Sequence, residues 1–414
     1  MRKFIFSQCT FSHISGKRRI QSERMSQNGT AGRYRTAAQK RNRRQNLKRL
    51  GTFLLVLAIF FGIWFVWEKI KQTSLAEQLA GGFAELGSGS GYPMEISGVT
   101  VRQMETMGNV LLVLTDTHLH IYNKNGKLLR EVQHDYANPV IKCSSSRIIL
   151  YDPSSRVLRI ESKTKTIKEM TFDEPVLFAV LSDENDLAVI TNTQRFLGQI
   201  IVYDHSLEDP VFSWKSAESY LYGAAFEPGG DSIAVSSVQV QNGDLVSGLT
   251  LYRLNEESPF MQQQYVDETI HDISYQNGEL QVLTDQNAYY YSESGKEKAV
   301  ISFQEEPLRM FCSKGEKISA LVLGDYREFK SVKLSLLGAS GEAEGAVSLQ
   351  FSVDDIDVNG SRTALLAGNC IEIYNAKGEL VQQITPDTEV LFLALGNGFA
   401  YYVTPDAICQ EPLS

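Results

Sequence analysis

Three hydrophobic patterns follow one another along the chain. From Gly51 to Trp67 the sequence GTFLLVLAIFFGIWFVW runs without a charge. At 1.5 Å per residue it makes about 25 Å of helix, near the lower limit for crossing a bilayer. Leu50 extends one end, Lys69 and Lys71 can snorkel at the other, and Trp64 and Trp67 stand where an interfacial aromatic belt stands. Residues 68–86 then set Ile70, Leu75, Leu79, Phe83 and Leu86 at roughly helical spacing, with Gly81 and Gly82 expected to interrupt the helix. Gly87 to Gly91 spells GSGSG, a composition that predicts a loose tether. After Tyr92 the period falls to two. NVLLVLTD and LHIYN read as strands, and the turn NKNG leads into KLLREVQ.

This last pattern recurs. IYNKNGKL at Ile121 to Leu128 returns as IYNAKGEL at Ile373 to Leu380 and as YYSESGKE at Tyr290 to Glu297. Looser copies place Tyr203 in VYDHSLED and Tyr252 in LYRLNEES. The spacing suits one unit about every 40 residues, the period of a four-stranded propeller blade. Gly126, Gly295 and Gly378 each fall four residues after the repeat tyrosine, where a hairpin needs positive φ. A second turn family appears in FEPGGDSIAV, YQNGELQVL and VNGSRTALL. By these marks units begin near Val99, Val140, Val176, Leu221, Thr269, Leu308 and Phe351. An eighth begins near Leu391 and ends after about three strands. PMEIS at Pro93 to Ser97 is a spare strand. Pairing the two ends of the body closes a ring economically. The expectation is an all-β, eight-bladed β-propeller over 93–414, with seven blades as the alternative, preceded by one transmembrane helix.

FEPGGDSIAV resembles the turn-and-strand signature of WD-repeat-like and TolB-like propellers. The whole layout is similar to an uncharacterised family of membrane-anchored propeller proteins of Gram-positive bacteria. That resemblance implies a fold and a surface location and transfers no functional residue. Trp214 is the only tryptophan of the body. Blade-by-blade Trp-Asp dipeptides, the tryptophan docking motifs of quinone-dependent dehydrogenases and the Ser-x-Asp-x-Gly boxes of sialidases are absent, which weighs against those enzymes.

Charge divides the chain. The net charge is −9. Residues 1–50 hold 14 Lys/Arg against Glu23, and the remaining 26 Lys/Arg face 48 acids, so +13 and −22 sum to that total. Arg41, Arg43, Arg44, Lys48 and Arg49 crowd the front of the apolar run. The positive-inside rule therefore predicts a cytoplasmic tail over 1–50, a plasma-membrane span over 51–67, a juxtamembrane helix and linker over 68–92, and an extracytoplasmic body. The long lead and the charges after Trp67 disfavour a cleaved signal peptide. Met25 is an alternative start. An acidic body argues against nucleic acid as a partner. Cys9, Cys143, Cys312, Cys370 and Cys409 have neither zinc nor redox spacing, and free thiols are expected.

Candidate chemistry is sparse. His118 and His120 share one face of a strand, Asp354, Asp355 and Asp357 form the densest acid cluster, and Asp183 to Asp186 reads as a polar turn. None has a metal-binding pattern, and no metal or cofactor is expected. Asn28 and Asn359 open glycosylation-like triplets, the second better suited to an Asn-Gly turn. The innermost strand of each blade opens on the central channel. Arg102, Lys142, His271, Asp272, Arg309, Asp354 and Asp355 fall near those strand starts and are the candidate ligand contacts. The favoured function is a membrane-held, non-enzymatic module binding a protein or wall polymer. The alternative is an enzyme acting on glycans through carboxylates such as Asp272 and Asp355 at the channel mouth.

Overall fold

The computed structural model describes residues 53–62, 64, 75–96, 98–303, 306–314, 317–324 and 332–414. The chain divides into two units, Met1–Lys69 and Ile70–Ser414. In the first, residues 53–62 and 64 are helical and exposed. The basic lead with Met25, Asn28 and Cys9, and the remainder of 51–67, lie outside the described residues. Among the described residues no helix is long and apolar enough to cross a membrane.

The second unit builds eight antiparallel four-stranded sheets, so the count is eight and not seven. Blade 1 runs outward from β2 (Val101–Met107) through β3 (Val110–Thr115) and β4 (His118–Asn123) to β5 (Leu128–Gln133). The inner strands of blades 2 to 7 are β6 (Val140–Cys143), β10 (Val176–Leu181), β14 (Tyr220–Phe226), β18 (Ile270–Gln276), β22 (Leu308–Cys312) and β26 (Asp355–Asn359). Blade 8 takes β30 (Phe392–Gly396), β31 (Phe399–Val403) and β32 (Ala407–Pro412) from the C-terminal end. Its outer strand is β1 (Met94–Glu95), with Met94 opposite Ile408 and Glu95 opposite Ala407. The spare strand thus closes the ring as its sequence predicted.

Strand patterning explains the layering. Second strands are covered on both faces by neighbouring blades, and all six residues of β3 are buried. Outer strands face water on one side, so half of β5 is exposed; Glu131 is a charge that discourages edge-to-edge pairing, while Arg130 turns to the buried Glu161 of blade 2 at 2.7 Å. The core consists of eight apolar clusters, one at each blade junction. The repeat tyrosines sit in these junctions. Tyr252, Tyr291 and Tyr374 are each at most 4% exposed and pack against the preceding blade.

The turns follow the sequence closely. Gly126, Gly295 and Gly378 have φ of 71°, 77° and 79°. In the best copies an asparagine organises the loop. Asn123 Oδ1 accepts N–H groups from Asn125 and Lys127, both at 2.9 Å, and Asn375 Oδ1 accepts those of Lys377 and Glu379, both at 3.0 Å.

Two expectations upstream are corrected. Helix α1 (Leu75–Ala84) runs straight through Gly81 and Gly82. Gly81 is buried, and a Cβ there would come within 3.1 Å of the Lys163 side chain, so glycine permits close docking rather than breaking the helix. Nor is the Gly/Ser stretch a loose tether. Asn123 Nδ2 donates to the carbonyls of Glu85 and Gly87, Gly91 N donates to Asn125 O, and a Cβ on Gly89 would lie 2.2 Å from Lys127 N. Small residues here let two backbones touch.

Candidate functional site

In each blade the turns after the first and third strands lie at one end of the ring, the turn end. The remaining connections lie at the other, the crossover end. Near the crossover end five inner strands carry a bulge, between Val101 and Gln103, Val176 and Phe178, Leu221 and Gly223, Ile270 and Asp272, and Leu308 and Met310. A bulge re-aims the extra side chain. Arg102, His271 and Arg309 occupy three of these positions and are exposed. Arg102 pairs with Asp116 at 2.9 Å, and Arg309 Nε donates to Gly324 O at 2.6 Å. His271 lies beside Phe311, with ring centroids 6.4 Å apart. Asp354 is exposed and accepts the Gly368 N–H at 2.7 Å. These four predicted residues form rim contacts.

The other three, Lys142, Asp272 and Asp355, belong to an inner cluster that the sequence reading only partly assembled. Lys314 of blade 6 reaches across the ring to Glu105 of blade 1 at 2.6 Å, and its ammonium lies 3.6 Å from Asp357 of blade 7. Enclosure by the channel walls opposes its charge, but Asp357 and then Glu105 more than offset this and raise its pKa above the ordinary lysine value. Lys142 of blade 2 holds its ammonium 3.6 Å from the Phe178 ring centroid. Burial pushes this amine down to about 8, against the pull of Asp272 and Glu105. Burial also raises the Asp272 carboxyl, against the Ser313 hydroxyl that donates to it and the nearby Lys142. Lys142 and Asp272 are thus both pressed toward their neutral forms.

The aspartates of β26 act as latches. Neighbouring inner strands belong to separate sheets and share no ladder, so side chains make the bonds between them. Asp355 accepts N–H groups from Ile356 at 2.9 Å and Leu393 at 3.1 Å, and Asp357 accepts that of Leu395 at 2.7 Å. Burial raises the Asp355 pKa while those two N–H groups oppose the rise. Gln103 joins blade 1 to both backbone groups of Ile141 in blade 2, and Thr106 donates to Leu395 O at 2.6 Å. Both Asp355 oxygens are therefore engaged by backbone rather than aimed at a substrate. Glu105, Ser313 and Lys314 were missed. The alternation of β2 places Glu105 on the face of Gln103, a usable signal, but nothing local links Glu105 to Lys314, 209 residues away.

The remaining candidates resolve simply. His118 and His120 do share a face, and both approach Glu131, at 3.6 and 3.4 Å. Among the described residues no group of three or more potential ligands is placed to hold a metal. Cys143, Cys312, Cys370 and Cys409 are free thiols, and burial pushes Cys143 and Cys312 up to about 12. Asp183 to Asp186 is the first turn of blade 3. Asn359 donates its side chain to Leu395 O at 3.2 Å, beside Gly360 at φ 60°.

A projecting hairpin in blade 4 carried no sequence flag. β15 (Ser232–Gln241) and β16 (Asp244–Arg253) are ten residues each, the longest strands of the ring. They extend beyond their neighbours at the crossover end and turn at Asn242 and Gly243, both at positive φ. Val240 pairs with Leu245 and Tyr220 with Val238, all on one face of the sheet. Val240 is 73% exposed, Tyr220 52% and Leu245 40%. Asp267, whose N–H donates to Leu245 O at 3.0 Å, is exposed beside this face, Glu218 is exposed two residues before Tyr220, and Asp244 is exposed at the hairpin tip.

Solved propellers share the architecture. The C-terminal WD40 domain of Sif2 is similar with a TM-score of 0.56 and 10% identity, over 78% of this chain and 99% of that one. Sqt1 of Saccharomyces cerevisiae matches with a TM-score of 0.56 and 10% identity, over 79% and 100%. BamB of Moraxella catarrhalis matches with a TM-score of 0.50 and 10% identity, over 77% and 99%. At such identity the likeness speaks for the fold alone. Among curated proteins none matches significantly. One family model does match, over residues 88–409, which is most of the chain and nearly all of the ring, and on that ground the chain belongs to the family of unknown function DUF5711.

Proposed function

We propose that this protein is a non-enzymatic binding module, held in the plasma membrane by residues 51–67, with its propeller outside the cytoplasm and a protein partner at the blade 4 hairpin. The observation that carries the binding reading is the exposed Val240, Leu245 and Tyr220 face on a rigid two-stranded projection. These acids and the acidic body select a partner with apolar side chains set among basic ones. The uncharged run behind a strongly basic lead supports the location. Wall polymer remains the competing ligand class.

Crosslinking in intact cells tests the partner. A specific protein neighbour should be captured by the native chain and lost with Val240→Asp and Leu245→Asp together. Capture that survives both changes, or capture of wall polymer alone, overturns the hairpin assignment. Protease added to wall-stripped cells should digest the ring and spare the first 50 residues. A protected ring, or a full chain in the soluble fraction, overturns the location.

A further inference from the structure

Helix α1 has two faces. Glu77, Gly81 and Glu85, spaced by four, face the ring. Glu77 takes both Nε and Nη2 of the buried Arg147 at 2.9 and 3.0 Å, and Glu85 pairs with Lys163 at 2.5 Å. Arg147 is further held by donating to His205 O at 2.6 Å. The helix is thereby clamped across blades 1 to 3 at the turn end. Its opposite face carries Ala80 and Phe83, and Leu86 follows just past its end, with Phe83 74% and Leu86 67% exposed.

The surroundings of that face run against the charge of the body. Lys124 and Lys127 flank the turn on which the chain after α1 rests, and Lys127 Nζ donates to Leu86 O at 3.3 Å. Lys165 sits in the turn that holds Lys163 against Gly81. Lys124 and Lys165 are exposed, while the acids nearest the helix, Glu77 and Glu85, are both paired. Opposing charge stands to either side, at blade 3 with Asp183, Glu184 and Asp204, and at blade 8 with Glu411, next to the Gln410 whose side chain donates to Lys124 O at 3.0 Å.

We propose that Phe83 and Leu86, with Lys124, Lys127 and Lys165, rest on an anionic lipid surface. An apolar pair beside unneutralised lysines is the composition that anionic headgroups attract. α1 begins eleven residues after Trp64. Whatever path the intervening ten residues take, they reach at most about 35 Å. This inference rests on the membrane-held reading above. Tethering keeps the local lipid concentration high, so weak contacts suffice.

The test uses Ile70–Ser414, which holds the closed ring and all eight apolar clusters. It is sedimented with vesicles of phosphatidylcholine alone and of phosphatidylcholine with about one-third phosphatidylglycerol. Partition onto the anionic vesicles only is expected. It should fall more than about tenfold with Phe83→Ser and Leu86→Ser together, and about fivefold with each of Lys124→Gln and Lys165→Gln. Circular dichroism checks that the variants keep their β structure. No partition, or partition unchanged by the Phe83 and Leu86 changes, overturns the proposal. So does concentration-dependent self-association abolished by Phe83→Ser, which would assign the face to a second copy. Fractionation of the full chain separates the two readings. A membrane-bound full chain whose body ignores vesicles sinks this inference alone, and a soluble full chain sinks the anchor.

Discussion

Replacing Lys142 by methionine should stabilise the protein at neutral pH and leave its alkaline stability unchanged. The amine lies inside the ring, and burial lowers its pKa from 10.5 to about 8. That difference of 2.5 (10.5 − 8) corresponds to about 3 kcal/mol at roughly 1.4 kcal/mol per unit. Below pH 8 the amine is protonated in both states and the whole penalty acts on the fold. Between 8 and 10.5 the unfolded chain keeps the proton that the folded chain releases, so the penalty shrinks and stability rises with pH. Above 10.5 it is gone. Lys142→Met keeps most of the stem and removes the charge. It also removes the contact with Phe178, worth about 1 kcal/mol, and the nearby positive charge that Asp272 feels. A net gain of about 1–2 kcal/mol remains at pH 7, a rise in Tm of about 2 °C for a body of this size. Thermal unfolding of both proteins from pH 6 to pH 10 measures it, and the gap should close across the window where the amine titrates. A variant less stable than the native chain at pH 7, or a gap that stays constant to pH 10, refutes the assignment of Lys142 as a buried, strained charge.

Two further outcomes concern the ring. A chain with Tyr92, Met94 and Ile96 all changed to glycine keeps α1 and its ion pairs but loses β1 and the packing of those three side chains against Tyr401, Val403 and Ile408. Its stability should fall by about 5 kcal/mol, from three half-buried side chains and two ladder bonds, and a denaturant midpoint equal to that of the native chain would show that closure lies elsewhere. Gly345→Ala places a Cβ 2.4 Å from the carbonyl carbon of Lys377, across the junction of blades 6 and 7. Backbone cannot yield as a side chain can, so a loss of about 1–3 kcal/mol is expected, read from the same unfolding curves.

Most of the ring was legible in the sequence because its determinants are local. A strand shows its burial by its period, a hairpin shows its turn by an asparagine and a glycine at set offsets, and repetition of both sets the number of blades. Tyr122, Tyr291 and Tyr374 mark the third strand wherever the IYN-like phrase stands. PMEIS announced closure because it had no partner nearby. The same locality misled at Gly81, Gly87 and Gly89, where composition signals flexibility but the glycines serve close approach to Lys163 and Lys127.

What only the tertiary structure decided are relations between residues far apart in the chain. Lys314 meets Glu105 because the ring folds blade 6 back toward blade 1. Glu77 meets Arg147 because a helix that packs on nothing local finds a buried guanidinium at the turn end. Bulges near the start of five inner strands turn Arg102, His271 and Arg309 to the rim, where simple alternation points them into the channel. Periodicity specifies which face of a strand is apolar. Which residues meet across a ring depends on its diameter, its twist and the slip of each strand, and those arise only when all eight blades pack together.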